Sequence, residues 1–278
     1  MREDARVEAQ KQWNTTPCGQ VGGNADTLEY FRDVAAARNL QQPWTGSYFD
    51  YDRFRGREVL EIGVGHGTDL LRFARGGAVC HGVDITDRHL ALTQRNFELH
   101  GLKVDLHKSD ATRLPFDDES LDCVYSFGVL HHIPEIEAVI AEVRRVLRPG
   151  GTLMVAVYYK WSAFHLFSKL IGDGIAKLWL LRKGYAGLLS TIEEGSDGVR
   201  IKPYVRLYSK AEIRWLLRGF AVEDVSVHQL VGEHFWRLKP LFGWAVEPLQ
   251  KRLGWYVAFK ATKPRVAREE QVELPPSV

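Results

Sequence analysis

The residues with the clearest chemical purpose lie between Glu61 and Asp84. Both are carboxylates within or after apolar runs, and Gly63, Gly65 and Gly67 occupy alternate positions soon after Glu61. Glycine has no Cβ, so a turn built from it can be tight and can bring backbone N–H groups close to a ligand. A buried carboxylate needs partners, and for Glu61 a ligand ammonium, or backbone N–H groups and water, would serve. Together these residues predict a ligand-binding turn.

The elements that must position this turn follow the order strand, turn, helix, strand. Residues 59–62 form an apolar run, residues 68–75 favour a helix, and residues 79–83 form a second apolar run that ends on Asp84. This is the order of a nucleotide-binding βαβ unit. The N-terminus of the helix adds a field that favours a carboxylate or a phosphate. Thr68 stands at the sixth fingerprint position, where dinucleotide-binding proteins carry glycine, and therefore opposes an NAD-dependent oxidoreductase.

Composition describes an ordinary globular chain of 278 residues, with 45% hydrophobic and 26% charged residues and a formal charge of +2. This charge balance and the lack of a basic stripe argue against a nucleic-acid partner. Three cysteines without metal-ligand spacing predict reduced thiols in a cytoplasmic protein. The charged N-terminus does not resemble a signal peptide, and no apolar run reaches the roughly 20 residues that span a bilayer.

Strands and helices alternate from residue 58 to residue 158, which predicts a parallel sheet with right-handed crossovers. The motifs in this stretch resemble those of class I S-adenosylmethionine (SAM) methyltransferases, over a little more than a third of the chain. They include Glu-x-Gly-x-Gly-x-Gly at 61–67, Gly-Val-Asp at 82–84, Val-Leu-His-His at 129–132 and Leu-Arg-Pro-Gly-Gly at 147–151. The last two are similar to the subgroup with ubiquinone-biosynthesis and natural-product enzymes. The resemblance implies an α/β fold, with a doubly wound, mostly parallel seven-stranded sheet and a helical lid inserted after the fifth strand.

The resemblance also implies a role for each motif residue. Gly63, Gly65 and Gly67 would face the methionine part of SAM, with Glu61 near its ammonium. Asp84 would accept hydrogen bonds from both ribose hydroxyls, although its residue type and place also suit a carboxylate at a helix N-terminus. The remaining cofactor contacts are expected at the adenine ring and below the sulfonium: Ile85, Asp110, Ala111, Phe127 and Gly128.

His131 and His132 are the titratable pair expected nearest the transferred methyl group. If the acceptor is a hydroxyl, a base is needed and His131 is the first candidate, followed by Tyr158, Tyr159, His165 and Glu194. The pair equally suits a role in shaping the pocket. No metal is expected, because no third ligand lies at a usual spacing from the two histidines.

The chain divides into an N-terminal helical cap at 1–56, a SAM-binding domain at 57–262 and a tail at 263–278 that is predicted to be disordered. Within the domain, residues 159–207 form a helical insertion that is expected to cover the substrate. Residues 161–181 are predicted to form two helices broken at Gly172 to Gly174. Two other interpretations of the insertion are a dimer interface and a weak membrane-surface contact through 161–181.

The function predicted from these features is transfer of a methyl group from SAM to a small, fairly apolar acceptor, such as a natural product, a quinone or a lipid. O-methylation is favoured over N- or C-methylation. A non-catalytic SAM-binding accessory protein and an NAD-dependent oxidoreductase are the alternatives. The protein is expected to be a monomer or a homodimer.

Overall fold

The computed structural model describes residues 2–193 and 204–265, and its centre is one seven-stranded sheet. The strands are β1 Glu58–Ile62, β2 Val79–Asp84, β3 Asp105–Lys108, β4 Leu121–Phe127, β5 Leu147–Tyr158, β6 Ala221–His228 and β7 Tyr256–Thr262. Their spatial order is β3-β2-β1-β4-β5-β7-β6. The predicted doubly wound, mostly parallel seven-stranded fold is therefore confirmed.

Strands β1 to β5 are parallel to one another, and β7 is antiparallel to its two neighbours, β5 and β6. Strand β1 lies between β2 and β4, with Glu61 opposite Gly82 on one side and Tyr125 on the other. Four of its five residues are buried, as expected for a parallel strand covered on both faces. The carboxyl ends of β1, β2 and β4 consequently meet at one edge, where open α/β sheets bind ligands.

Helices cover both faces of the sheet and connect its strands. They are α1 Arg2–Thr15, α2 Leu28–Gln41, α3 Trp44–Phe49, α4 Thr68–Arg75, α5 Asp87–Leu99, α6 Ile136–Val146, α7 Trp179–Leu189, α8 Lys210–Leu216, α9 Lys239–Phe242 and α10 Val246–Leu253. Two begin at side-chain caps: Thr86 accepts from the N–H of His89, and Ser209 and Glu212 form a reciprocal capping box. Short 3₁₀ helices span Tyr51–Phe54, Leu130–His132, Ser190–Ile192, Gly232–Leu238 and Gly243–Ala245.

The insertion after β5 differs from the sequence prediction in its helix break. A π-helix, Phe164–Ala176, runs through Gly172 and Gly174, and the chain turns instead at Leu178, whose φ is 59°. The two glycines provide space for packing: a Cβ on Gly172 would lie 3.1 Å from the Trp236 ring, and one on Gly174 would lie 3.0 Å from Leu180. The predicted bend at Gly172 to Gly174 is therefore wrong, because these positions are packing contacts.

The sequence Arg-Pro-Gly-Gly at 148–151 favours a sharp turn, but these residues lie inside β5. Residues 266–278 of the predicted tail at 263–278 lie outside the described residues. Glu194 lies outside them too. Among residues 2–193 and 204–265, no helix has the length and apolar character needed to cross a membrane.

Candidate active site

A cavity of about 390 Å³ opens at the carboxyl ends of β1, β2 and β4, and residues of α1 and α2 complete its wall. Its volume lies in the range of small-molecule sites. Nine of the ten residues predicted to contact a cofactor line it: Glu61, Gly63, Gly65, Asp84, Ile85, Asp110, Ala111, Phe127 and Gly128. Gly67 does not line it. A Cβ there would meet the Thr93 side chain at 2.8 Å, so Gly67 allows α4 to pack against α5.

The glycine turn combines close packing with open space. Gly63 has φ 79°, and a Cβ on it would lie 2.3 Å from the Val129 side chain, so the turn and the loop after β4 are in tight contact. Gly65 has φ 55° and nothing within 4 Å of a Cβ. The space beside Gly65 belongs to the cavity, so a ligand can approach the backbone at this point.

Glu61 is buried in β1 and has an oxygen without a partner. The backbone N–H of Leu70 donates to its carboxylate, but Oε2 accepts no hydrogen bond. Burial raises the pKa of Glu61 well above its usual range, and the charge of Asp69 adds to this effect. A buried, half-satisfied carboxylate that faces a cavity fits a cationic ligand group.

By contrast, one carboxylate oxygen of Asp69, in the first turn of α4, accepts two hydrogen bonds. Arg38 Nη2 and the Tyr125 hydroxyl both donate to Oδ2, at 2.7 and 2.8 Å. Although burial opposes ionisation, Arg38 and Arg72 hold the pKa of Asp69 below its usual range. Asp69 is therefore a structural anion that anchors Arg38, whereas Glu61 remains available.

Arg38 is a cavity residue that the sequence interpretation missed. Its guanidinium lies 3.8 Å from the centre of the Phe127 ring and also donates to Gln42, at 2.7 Å. A signal was present: Arg38 follows Phe31 and Val34 on the buried face of α2, at helical spacing. A cation at such a position predicts a buried anionic partner.

Asp84 and Asp110 each accept a hydrogen bond from the local backbone and also line the cavity. Asp84 Oδ1 accepts from the Thr86 N–H and hydroxyl at 2.9 and 2.8 Å, and Oδ2 lies 3.2 Å from His89 Nδ1. Asp110 Oδ1 accepts from the N–H and the hydroxyl of Thr112, both at 2.8 Å. A carboxylate has about four acceptor positions, so both residues retain capacity for a ligand.

Helix α1 crosses the same edge of the sheet and is held there by polar contacts. Arg6 Nε lies 3.0 Å from Asp110 Oδ2, and Gln10 Nε2 donates to the Ile85 carbonyl at 2.8 Å. Arg6 and Trp13 line the cavity. The N-terminal segment thus forms part of the site wall, and no motif in the sequence indicated these particular contacts.

The two adjacent histidines occupy different environments. His131 is fully buried, stacks on Tyr158 with ring centres 3.7 Å apart, and has no partner for either ring nitrogen. Burial, together with His132, lowers the pKa of His131 well below its usual range. His131 does not line the cavity, whereas His132 does.

His132 and Glu193 both line the cavity and lie beside each other. His132 Nδ1 donates to the Tyr204 carbonyl at 2.8 Å, which leaves Nε2 as the acceptor in the neutral ring, 3.7 Å from Glu193 Oε1. Tyr158 donates to the same Glu193 oxygen at 2.6 Å. Of the other proposed bases, Tyr158 lines the cavity, and Tyr159 and His165 do not.

One ligating atom from each of His131, His132 and Glu193 lies within 4.8 Å of the others, so the three residues could hold a metal ion. Sequence spacing indicated no third ligand for the two histidines. The fold nevertheless brings Glu193, about 60 residues further along the chain, beside them.

The insertion contributes little to this cavity. Among the described residues of 159–207, Glu193 lines it. Phe164 packs against Trp255 and Phe167 against Phe235, so neither ring reaches the cavity wall.

About a third of the chain is similar in sequence to a known protein family. Residues 60–155 match the methyltransferase domain family. A phthiotriol/phenolphthiotriol dimycocerosates methyltransferase of Mycobacterium ulcerans is 41% identical over 101 residues, 36% of each chain. A phosphatidylethanolamine N-methyltransferase of Cereibacter sphaeroides is 36% identical over 107 residues, 38% of this chain and 52% of that protein. A sterol 24-C-methyltransferase of Gibberella zeae is 29% identical over 48% of this chain and 38% of that protein.

The chain thus spans between about a third and a half of the length of these curated relatives. Among solved structures, the SAM-bound magnesium protoporphyrin IX methyltransferase of Synechocystis has a TM-score of 0.56 at 14% identity, covering 94% of this chain and 97% of that one. The [4+2]-cyclase SpnF has a TM-score of 0.53 at 20% identity, covering 94% of both chains.

The sheet order is that of the class I, SAM-dependent methyltransferase fold, and residues 60–155, about a third of the chain, match a methyltransferase domain family. The residues present also fit SAM by their own chemistry. Glu61 has a buried oxygen without a partner beside the glycine turn, and the space at Gly65 is open. A ligand that carries an ammonium group on one end matches both features.

Proposed function

We propose that this protein transfers the methyl group of SAM to a lipid-like, largely apolar acceptor. The observation that carries the cofactor assignment is the unpartnered Oε2 of Glu61 at the wall of the cavity. Its relatives named above act, by their names, on sterols, phthiotriol lipids and phosphatidylethanolamine. A lipid-like acceptor is the substrate class that these names share.

The cavity offers complementary charges to the amino-acid part of SAM. Glu61 would accept from the ammonium, and Arg38, fixed by Asp69 and stacked on Phe127, would face the carboxylate. Asp84 would hold the ribose hydroxyls, with Ile85 and Ala111 beside the adenine and Asp110 at its amino group. Bound SAM supplies an activated methyl group on its sulfonium, and alignment with the acceptor supplies much of the rate enhancement.

His132, not His131, is the histidine we place against the acceptor. It lines the cavity, and the hydrogen bond from Nδ1 to Tyr204 directs the lone pair of Nε2 away from that carbonyl. If the acceptor atom is a hydroxyl oxygen, as O-methylation requires, Nε2 can take its proton. His131 would support the Tyr158 ring by stacking, and Tyr158 in turn orients Glu193.

Aromatic rings lie beside His132 and Glu193, at the part of the cavity that we call the acceptor end: the ring centres of Trp13 and His132 are 5.7 Å apart, and Tyr158 donates to Glu193. Trp13, Val21, Tyr158 and Tyr256 all line the cavity. Such a lining fits an acceptor with one polar head and a hydrocarbon body. A SAM-binding accessory role would leave His132 and Glu193 without a task, and this favours the enzyme.

The test has two stages. Calorimetric titration with S-adenosylhomocysteine measures cofactor binding, and incubation with methyl-labelled SAM plus a sterol, a quinol or phosphatidylethanolamine measures transfer. Labelled product is expected with at least one of these acceptors. His132→Ala should lower kcat without changing the affinity for S-adenosylhomocysteine. Failure to bind S-adenosylhomocysteine would overturn the proposal. Binding without transfer to any lipid-like acceptor would leave the accessory role.

A further inference from the structure

Large apolar side chains are exposed along one layer of the molecule, formed by the π-helix, α7 and the segment 232–245. The most exposed are Ile175, Leu178, Leu181, Leu241 and Trp244, and Leu181 is 84% exposed. These elements pack on one another: the π-helix contacts both α7 and the 3₁₀ helix Gly232–Leu238, and the latter contacts α9. Removing this apolar surface from water would be favourable, and exposed apolar clusters commonly mark interaction sites.

The charge of this layer indicates what it contacts. Residues 160–192 contain five Lys or Arg residues and one Asp, whereas the whole chain has a formal charge of only +2. Lys183 Nζ lies 3.9 Å from the centre of the Trp179 ring, and Lys160 Nζ lies 5.7 Å from that of Trp161. Cations interleaved with tryptophan and aliphatic side chains are typical of segments that lie in the interface of an anionic bilayer.

The same layer leads directly into the acceptor end of the cavity. Helix α7 continues through the 3₁₀ helix Ser190–Ile192 to Glu193, which lines the cavity beside His132. Lys169 of the π-helix donates to the Thr191 carbonyl at 3.1 Å, which ties the two helical segments together. A lipid taken from a bilayer below this layer would therefore have a short route to the acceptor end.

We propose that the layer formed by the π-helix, α7 and residues 232–245 docks on the surface of an anionic lipid bilayer. Leu178, Leu181 and Trp244 enter the interface, and Lys177, Arg182 and Lys183 contact lipid phosphates. Delivery of the acceptor through this surface rests on the proposed function, whereas the docking itself does not. The competing occupant is a second copy of the chain, which would use the same apolar side chains to form a dimer.

The experiment is co-sedimentation with vesicles of phosphatidylcholine alone and of phosphatidylcholine with phosphatidylglycerol. The chain provides a matched pair of variants, because Leu40 in α2 is as exposed as Leu181, at 84%. Leu181→Glu is expected to lower partition into the anionic vesicles by about tenfold, and Leu40→Glu should leave it unchanged. Raising the salt concentration should weaken binding of the wild type, because screening reduces the attraction to phosphatidylglycerol.

The proposal is overturned if the wild type does not sediment with the anionic vesicles, or if both variants lose binding equally. It is also overturned if light scattering shows a wild-type dimer that Leu181→Glu dissociates, since the layer is then covered by a partner copy. S-adenosylhomocysteine affinity should be the same in both variants. Vesicle binding without methyl transfer would contradict the proposed function and leave the docking surface intact, and transfer without vesicle binding would do the reverse.

Discussion

Replacing Glu61 with glutamine tests the proposed ammonium contact at one oxygen. The substitution keeps the shape and the acceptor that receives the Leu70 N–H, and removes the negative charge. A hydrogen bond to a charged group contributes about 1.5–3 kcal/mol. At about 1.4 kcal/mol for each factor of ten, Glu61→Gln should raise the Kd for S-adenosylhomocysteine by about 10- to 150-fold. Isothermal titration calorimetry measures this directly.

The same substitution should not destabilise the free protein. Burial raises the pKa of Glu61 in the folded state, so the ionised carboxylate is less favourable there than in the unfolded chain. The stability linked to this group is present below its unfolded pKa of about 4.3, and is lost as the pH rises through the folded pKa. Urea denaturation without ligand should therefore show Glu61→Gln at least as stable as the wild type at pH 8.

Two controls separate the charge contact from general damage. 5′-Methylthioadenosine lacks the amino-acid part, so the wild type and Glu61→Gln should bind it equally. Glu58→Gln changes a carboxylate at the other end of β1 that contacts His81, and should leave S-adenosylhomocysteine affinity unchanged. Wild-type affinity in Glu61→Gln, or an equal loss for both ligands, would refute the assignment of the ammonium to Glu61.

Four further substitutions test the remaining contacts. Gly65→Val should abolish S-adenosylhomocysteine binding, while Gly101→Val, at a similar positive φ with equally open surroundings, should keep it in the same calorimetric assay. Arg38→Met should weaken S-adenosylhomocysteine but not 5′-methylthioadenosine; equal weakening would mean a structural role. Asp84→Asn should weaken both ligands by about 1–3 kcal/mol, since both carry the ribose. Phe164→Ala should lower the free energy of unfolding by about 0.5–3 kcal/mol, since its ring is only partly buried, without raising the acceptor KM, and a raised KM would return Phe164 to the acceptor site.

The sequence was sufficient for the sheet because its signals are local and repeated. Helix α4 has the residue range 68–75 that the sequence predicted, and β1 and β2 contain the two apolar runs at 59–62 and 79–83. Nearly all predicted cofactor residues follow β1, β2 or β4, and the carboxyl ends of parallel strands must share an edge. Their convergence on one cavity is a consequence of topology, which the alternation of strands and helices already specifies.

The acceptor end was not predictable in the same way. Glu193 meets His132 through a connection of about 60 residues, and Arg6 meets Asp110 across about a hundred. No periodicity encodes such contacts, since they depend on how α1 and the insertion pack on the finished sheet. The glycines at 172 and 174 show the same limit, because close packing against Trp236 and Leu180 explains their residue type better than a bend.

The reaction is decided at this less predictable end of the cavity. The fold hosts more than one chemistry, since the structural neighbour SpnF is described as a [4+2]-cyclase. Glu61, Asp84 and the glycine turn are proposed to bind the cofactor, so they would not select among reactions. His132, Tyr158 and Glu193 form a polar group in the cavity wall, and Tyr158 donates to Glu193. His132 Nε2 keeps a lone pair because Nδ1 donates to Tyr204, and we expect its reach toward the acceptor to determine whether a proton can be removed during transfer.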